Sequence, residues 1–228
     1  KSYGAEEVLA KEYGPYVMNP AESGYDFSLK IDLTNLPENK EQLVDKISLL
    51  KRNALAAPFH KAFDAQEKGE KTDLMTINYR NDEAIFVKAQ GDRVTVLFST
   101  LFKDDTDIIF GKVFLQEFGA ARKSPALQNA PQVLYYPKDP PEELKDAKGL
   151  KSADNIGYVT FVLFPRHFGK NNREATISLI QTFRDYLHYH IKCSKAYMHS
   201  RMRTRVASML KILNRAKPDI PVERTKTA

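Results

Sequence analysis

Apolar residues in this chain fall into alternating and helical stretches that divide it into recognisable elements. Residues 5–18 read as a helix that ends in turn signals at Asn19-Pro20 and Ser23-Gly24. From 25 to 33 the pattern has a strict period of two. Tyr25, Phe27, Leu29, Ile31 and Leu33 alternate with Asp26, Ser28, Lys30 and Asp32, which predicts a strand with one buried face. Pro37 and Asn39 then open a helical stretch in which Leu43, Ile47, Leu50 and Ala54 share a face. Pro58 is expected to kink or restart that helix, and its stripe continues through Phe59, Ala62 and Phe63 to about Glu67.

A polar break follows at Lys68-Gly69-Glu70-Lys71, and strand signals come next in quick succession. Strands are predicted at 74–79, 84–89, 93–101 and 107–118, separated by Asn81-Asp82, Gly91-Asp92 and Lys103-Asp104-Asp105, which describes an antiparallel meander. A basic loop spans 119–131, a short strand 132–136, and a long exposed loop 137–152. The stretch 157–164 is apolar on both faces, as suits a central strand covered on both sides.

The last element is the longest. From Arg173 to about Lys217 there is no Pro or Gly, and Pro218 ends the run. Ile180, Phe183, Leu187, Ile191, Ser194, Met198, Met202, Val206, Met209 and Leu213 form one inward row. Tyr186, Tyr189, Cys193 and Tyr197 form a second ridge, so the middle of this helix is expected to be covered on two sides. A helix of this length spans about 65 Å, so part of it must project or meet another chain. The fold expected is α+β: two related domains of antiparallel sheet with long helices. The boundary lies in the 68–71 break, with residues 1–70 the C-terminal part of an incomplete first domain and 71–228 the second. Lys1 and the mid-helix pattern just after it read as a truncated beginning rather than a native N-terminus.

Charge changes the picture of the long helix. The chain has 35 Lys and Arg against 29 Asp and Glu, a net charge of +6. Between Tyr186 and Pro218 there is no acidic residue, while Lys192, Lys195, Arg201, Arg203, Arg205, Lys211, Arg215 and Lys217 contribute +8. The rest of the chain is therefore slightly acidic. Opposite charges normally interleave on a solvated helix because i,i+4 pairs stabilise it, so a one-sign helix points to an anionic partner. Cations near the C-terminal end also complement the helix dipole.

Other chemistry is sparse. One cysteine excludes an internal disulfide framework and suits a reducing compartment. No run of apolar residues is long enough to predict a membrane span, and no phosphate loop, dinucleotide fingerprint or serine elbow occurs. His188 and His190 point to opposite sides of a helix and cannot share one ion. His190 and Cys193 could, but lack further ligands at zinc spacing. Asp104, Asp105 and Asp107 resemble half a calcium loop but lack the glycine and closing glutamate, so a solvated turn is the expectation. No metal, cofactor or catalytic group is expected. From the residues alone, an acidic protein partner and nucleic acid or an anionic membrane stay open as readings of the basic helix. The aromatics stop at Tyr197, before the densest basic stretch, which disfavours a base-stacking platform.

Several stretches resemble a known family. They include NPAESGYDFSL (19–29), RVTVLFSTLFKDD (93–105), GKVFLQEF (111–118), APQVLYYPKDPPEELKD (130–146), DNIGYVTFVLFPRH (154–167), TFRDYLHYHIKCSKAYMHSRMR (182–203) and LNRAKPD (213–219). In order and over nearly the whole chain, they are similar to the large scaffold subunits of the actin-related protein 2/3 complex. The loop at 119–129 and the tail after Pro218 look less like the family pattern. The resemblance implies a non-catalytic subunit in the cytoplasmic actin cytoskeleton, at cortical patches or cell projections. It implies a heterodimer with the small scaffold subunit of related fold, formed through the long helices. It further implies clamping of the actin-related subunits and contact with the side of a mother actin filament, and neither nucleic acid nor a membrane span. On the helix, Lys195, Arg201, Arg203, Arg205, Lys211 and Arg215 are the expected contacts to acidic actin. Tyr186, Tyr189, Cys193 and Tyr197 are the expected interface with the partner subunit.

Overall fold

The computed structural model describes residues 3–121, 123–145, 147, 150, 152–169 and 171–216. Lys217 and Pro218, expected at the end of the long helix, lie outside the described residues. Three helices come first: α1 (Ala5–Tyr13), α2 (Lys40–Ser48) and α3 (Leu50–Glu67). Asn39 caps α2, its side-chain oxygen accepting from the Gln42 amide at 3.2 Å. The division between α2 and α3 falls at Leu49, and helix continues through Pro58 rather than restarting there.

Five strands form one antiparallel sheet: β1 (Met75–Asn78), β2 (Ala84–Ala89), β3 (Val94–Leu101), β4 (Gln132–Pro137) and β5 (Ile156–Leu163), in the order β1-β2-β3-β5-β4. The chain is therefore α+β, as the pattern predicts, and β5 lies inside the sheet between β3 and β4. One sheet face carries Val87, Val96, Phe98 and Val159 and is covered by α3 and the helices that follow. Phe59 and Phe63 of α3 join this core, so residues on both sides of the 68–71 break pack together. The opposite face carries Phe86, Leu97 and Tyr158 and is covered by Leu144. Thus the 137–152 segment, expected to be exposed throughout, closes the second face through a fully buried leucine.

Two expectations fail. Residues 107–118 are not a strand but part of α4 (Asp105–Ala121). β-Branched and aromatic residues suggested a strand, but the run is 17 residues long and its buried positions, Gly111 and Leu115, are spaced for a helix. Asp105 and Asp107 in its first turn complement the helix dipole. Gly111 lets α4 pack closely on the Phe102 ring: a Cβ there would sit 2.7 Å from it. The second failure is the 25–33 strand. Among the described residues it joins no sheet and makes only a bridge between Val17 and Leu29, and Tyr25 and Leu33 are 69% and 78% exposed. Alternation favours an extended chain, but a strand needs a neighbouring edge to pair with, and here only residues 16–18 supply one.

The short α5 (Pro165–Phe168) turns the chain into α6 (Arg173–Arg215), the 43-residue helix. Asn172 occupies its N-cap position, with no side-chain cap hydrogen bond among the described residues.

Candidate functional site: the two halves of the long helix

The first half of α6 lies against its own domain. Ile177, Ile180, Leu187 and Ile191 are buried, and Phe183 packs edge-on against Phe161 of β5 at 4.7 Å between ring centres. Burial of such side chains contributes about 1.5–3 kcal/mol each.

Ion pairs fix the helix along this seam. Arg173 reaches Asp64 and Glu67 of α3 at 2.5 and 2.9 Å. Arg52 of α3 donates to Glu174 at 2.6 Å. Arg184 grips Glu83 with two hydrogen bonds, from Nε to Oε2 at 2.8 Å and from Nη2 to Oε1 at 3.0 Å. Glu83 also accepts from the Leu101 amide at 3.0 Å, so its buried carboxylate joins the end of β3 to α6. Burial drives the Tyr79 phenol beside it far above the ordinary tyrosine range, and the Glu83 charge adds to that effect.

The residues of the tyrosine ridge point away from the domain. Tyr186, Tyr189 and Tyr197 are each more than half exposed, and Cys193 is exposed beside Tyr189. The ridge also extends further back than its tyrosines suggested. Leu179, one heptad before Tyr186, is 65% exposed. Leu179, Tyr186, Phe183, Phe161, Leu163 and Pro131 line an apolar cleft of about 360 Å³ between α6 and the sheet. The signal was present in the sequence as Leu179 at i−7 from Tyr186, but the nearby inward row at Ile180 masked it.

The second half of α6 leaves the domain. Every residue from Ala196 to Ala216 is exposed. The inward row therefore splits in two: it is buried through Ile191, whereas Met198, Met202, Val206, Met209 and Leu213 face solvent along with Leu210 and Ile212.

The six expected filament contacts fall into three groups. Lys195 is turned inward, its ammonium 2.9 Å from Asp104 and 2.6 Å from Asp107 at the start of α4. Arg201 lies over the Tyr197 ring and donates to its hydroxyl at 2.7 Å. Arg203, Arg205, Lys211 and Arg215 are exposed and form no ion pair among the described residues. The three aspartates that resembled half a calcium loop instead open a helix, and two of them are neutralised by Lys195.

The His188 ring is half-buried against Phe102, while His190 faces Phe114. Nε2 of His188 is buried without a hydrogen-bond partner among the described residues. Burial holds this imidazole below the ordinary histidine range, and the Arg184 guanidinium adds to the effect. Among the described residues, no group of three His, Cys, Asp or Glu comes together as a metal site would require. Nor is any helix long and apolar enough to cross a membrane.

Comparison with known proteins gives this surface a context. A family model described as "Arp2/3 complex, 34 kD subunit p34-Arc" matches residues 1–220. The chain is similar to "Actin-related protein 2/3 complex subunit 2" of Schizosaccharomyces pombe, with 53% identity over 248 aligned positions, covering 100% of this chain and 78% of that protein. It is also similar to the protein of the same name from Dictyostelium discoideum, with 48% identity over 225 positions, covering 98% of this chain and 75% of the relative.

Proposed function

The chain belongs to the p34-Arc family of Arp2/3 complex subunits, and on that premise we propose that it is a non-catalytic scaffold of the actin branch-nucleating machinery. Its long helix would bind neighbouring subunits along one side and the flank of a mother actin filament along the other. Its partners would be the other subunits of the complex, above all the small scaffold subunit of related fold, together with actin. Its location would be the actin cytoskeleton. The break at 68–71 would mark a boundary between two related domains of this scaffold.

The observation that carries this reading is the composition of the exposed half of α6. A row of apolar side chains this long, left in solvent, marks a protein–protein surface. The cations are not spread evenly around it. At about 100° per residue, Lys211 and Arg215 fall on the side away from Met198, Met202 and Met209, whereas Arg205 borders the apolar row on one flank and Arg203, one heptad before Leu210, borders it on the other. The tyrosine ridge lies on the opposite side from that row and serves sister subunits only in the middle of the helix, so in the distal half one face suits burial against a sister subunit. The other suits an acidic filament, with Arg205 reserved for pairing inside the complex.

The test is charge reversal at Arg203, Lys211 and Arg215 in the assembled complex, followed by co-sedimentation with actin filaments. Three reversed rim charges should weaken filament binding by about tenfold near 0.1 M salt, and the difference should shrink as salt screens it. Parallel assays with RNA and acidic liposomes should show binding much weaker than to filaments. An intact complex with undiminished filament affinity would refute the docking role.

A further inference from the structure

One helical turn beyond Ile191, the last fully buried apolar residue of α6, the helix makes its final ionic contact with its own domain among the described residues. Lys195 lies on the same side as Ile191, and its ammonium is shared between Asp104 and Asp107. Lys195 and Asp107 are 19% and 15% exposed and Asp104 is 61% exposed, so the ammonium is enclosed on its Asp107 side and open to solvent on the other. Both carboxylates sit at the N-terminal end of α4, where the helix dipole favours negative charge and would repel a bare lysine. Asp104 is further organised by accepting the Asp107 and Ile108 amides at its backbone oxygen, and Lys195 holds its carboxyl below the usual carboxylate range. Among the described residues, no side chain of α6 beyond Lys195 makes a hydrogen bond or ion pair outside the helix.

We propose that Lys195, Asp104 and Asp107 form a tether that sets the direction in which the exposed half of α6 leaves the domain, making Lys195 a positioning residue rather than a filament contact. The consequence for filament docking rests on the reading of the basic face given above; the tether itself does not. Leverage gives the tether its effect. The segment beyond it runs about 30 Å, so a swing of about 10° at Lys195 moves its end by about 5 Å, enough to take Lys211 and Arg215 out of register with a docking surface. Arg184 and Glu83 hold the helix three turns earlier and cannot restrain this pivot as closely. A lysine suits the position because its stem extends the apolar row while its charge bridges to α4.

The two roles for Lys195 predict opposite effects of a single substitution. Asp107→Asn removes the more enclosed of the two carboxylates and leaves the Lys195 ammonium only the exposed Asp104. If Lys195 touches the filament, Asp107→Asn strengthens binding; if Lys195 is a tether, it weakens binding. Spin labels carried on non-natural residues at Asn78, in the sheet, and Ser208, on the exposed half, report the distance across the tether by double electron–electron resonance in the full-length subunit. The distance distribution should be narrow for the unsubstituted chain and for Lys195→Arg. It should be roughly twice as wide for Lys195→Met and Asp107→Asn, given the length of the lever. The assembled complex should lose about threefold in filament affinity with Asp107→Asn and regain none of it in higher salt, because the defect is geometric rather than Coulombic. An unchanged distance distribution in both Lys195→Met and Asp107→Asn, or tighter filament binding by Asp107→Asn, overturns the tether. A widened distribution with unaltered filament affinity leaves the tether standing and refutes the docking role of the basic face.

Discussion

Replacing Arg184 with methionine should be among the most damaging single changes in the chain, because of what it leaves behind. The Glu83 side chain is only 4% exposed. In the intact protein its carboxylate is held by Arg184 through two hydrogen bonds, by the Leu101 amide, and by the Thr100 hydroxyl at 3.3 Å. Methionine keeps most of the packing of the arginine stem but removes both charged donors. Breaking a buried ion pair from one side costs about 3–5 kcal/mol, since the surviving charge stays desolvated. Arg80 already approaches Glu83 at 3.5 Å from a half-exposed position and offsets part of this loss, which favours the lower end of that range. For a chain of this size, with a urea dependence of about 3 kcal/mol per molar, a loss of about 3 kcal/mol lowers the unfolding midpoint by about 1 M. The assay is urea unfolding of the subunit, followed by tyrosine fluorescence and circular dichroism. Glu83→Met combined with Arg184→Met should be less damaging than the sum of the single changes by about 1.5 kcal/mol or more, because the orphaned charge goes too. A midpoint shift under about 0.2 M for Arg184→Met, or additivity within about 0.5 kcal/mol, would refute the idea that this pair clamps α6 to the sheet.

Tyr189→Asp separates folding from assembly: the side chain is largely exposed in the free subunit, so its melting temperature should move by less than about 2 °C. Co-purification with the partner subunit should nonetheless fall sharply, because a buried unpaired charge in the assembled interface costs several kcal/mol. Normal co-purification would remove Tyr189 from the interface. A third prediction concerns pH. The folded state holds His188 below its ordinary titration range, so the unfolded chain takes up that proton first. Stability from this group is therefore present at pH 7.5 and lost as pH falls below about 6.5. His60, lowered by burial although Glu174 opposes it, adds to the same trend. Thermal melts between pH 7.5 and 5.5 should show a shallower acid loss in His188→Phe than in the parent chain; equal slopes would contradict this role for His188.

Much of this fold was legible because period and burial coincide. Strands β1, β2, β3 and β5 and the long helix all appear in the hydrophobic pattern close to where they form. Composition misled at α4, where Ile108, Ile109, Val113 and three phenylalanines suggested a strand. The acidic residues before them and the buried 111/115 pair were the better guide. The alternation at 25–33 was real, but local pattern cannot state whether a sheet edge lies alongside. On the surface, a one-sign helix was visible from counting charges. That Lys195 differs from the other five cations was not visible, because its partners lie about ninety residues away in a stretch read as turn and strand. Likewise, the row from Ile180 to Leu213 is continuous in sequence, and only the tertiary structure shows that its second half has no domain beneath it.

Site-specific photo-crosslinking tests the central claim most directly. A photoreactive residue placed at Lys211, in the complex bound to actin filaments, should form an adduct with actin, whereas the same residue at Met209 should form adducts with a sister subunit. Actin adducts at neither position, with the complex demonstrably on filaments, would contradict the assignment of the basic face of α6 to the filament.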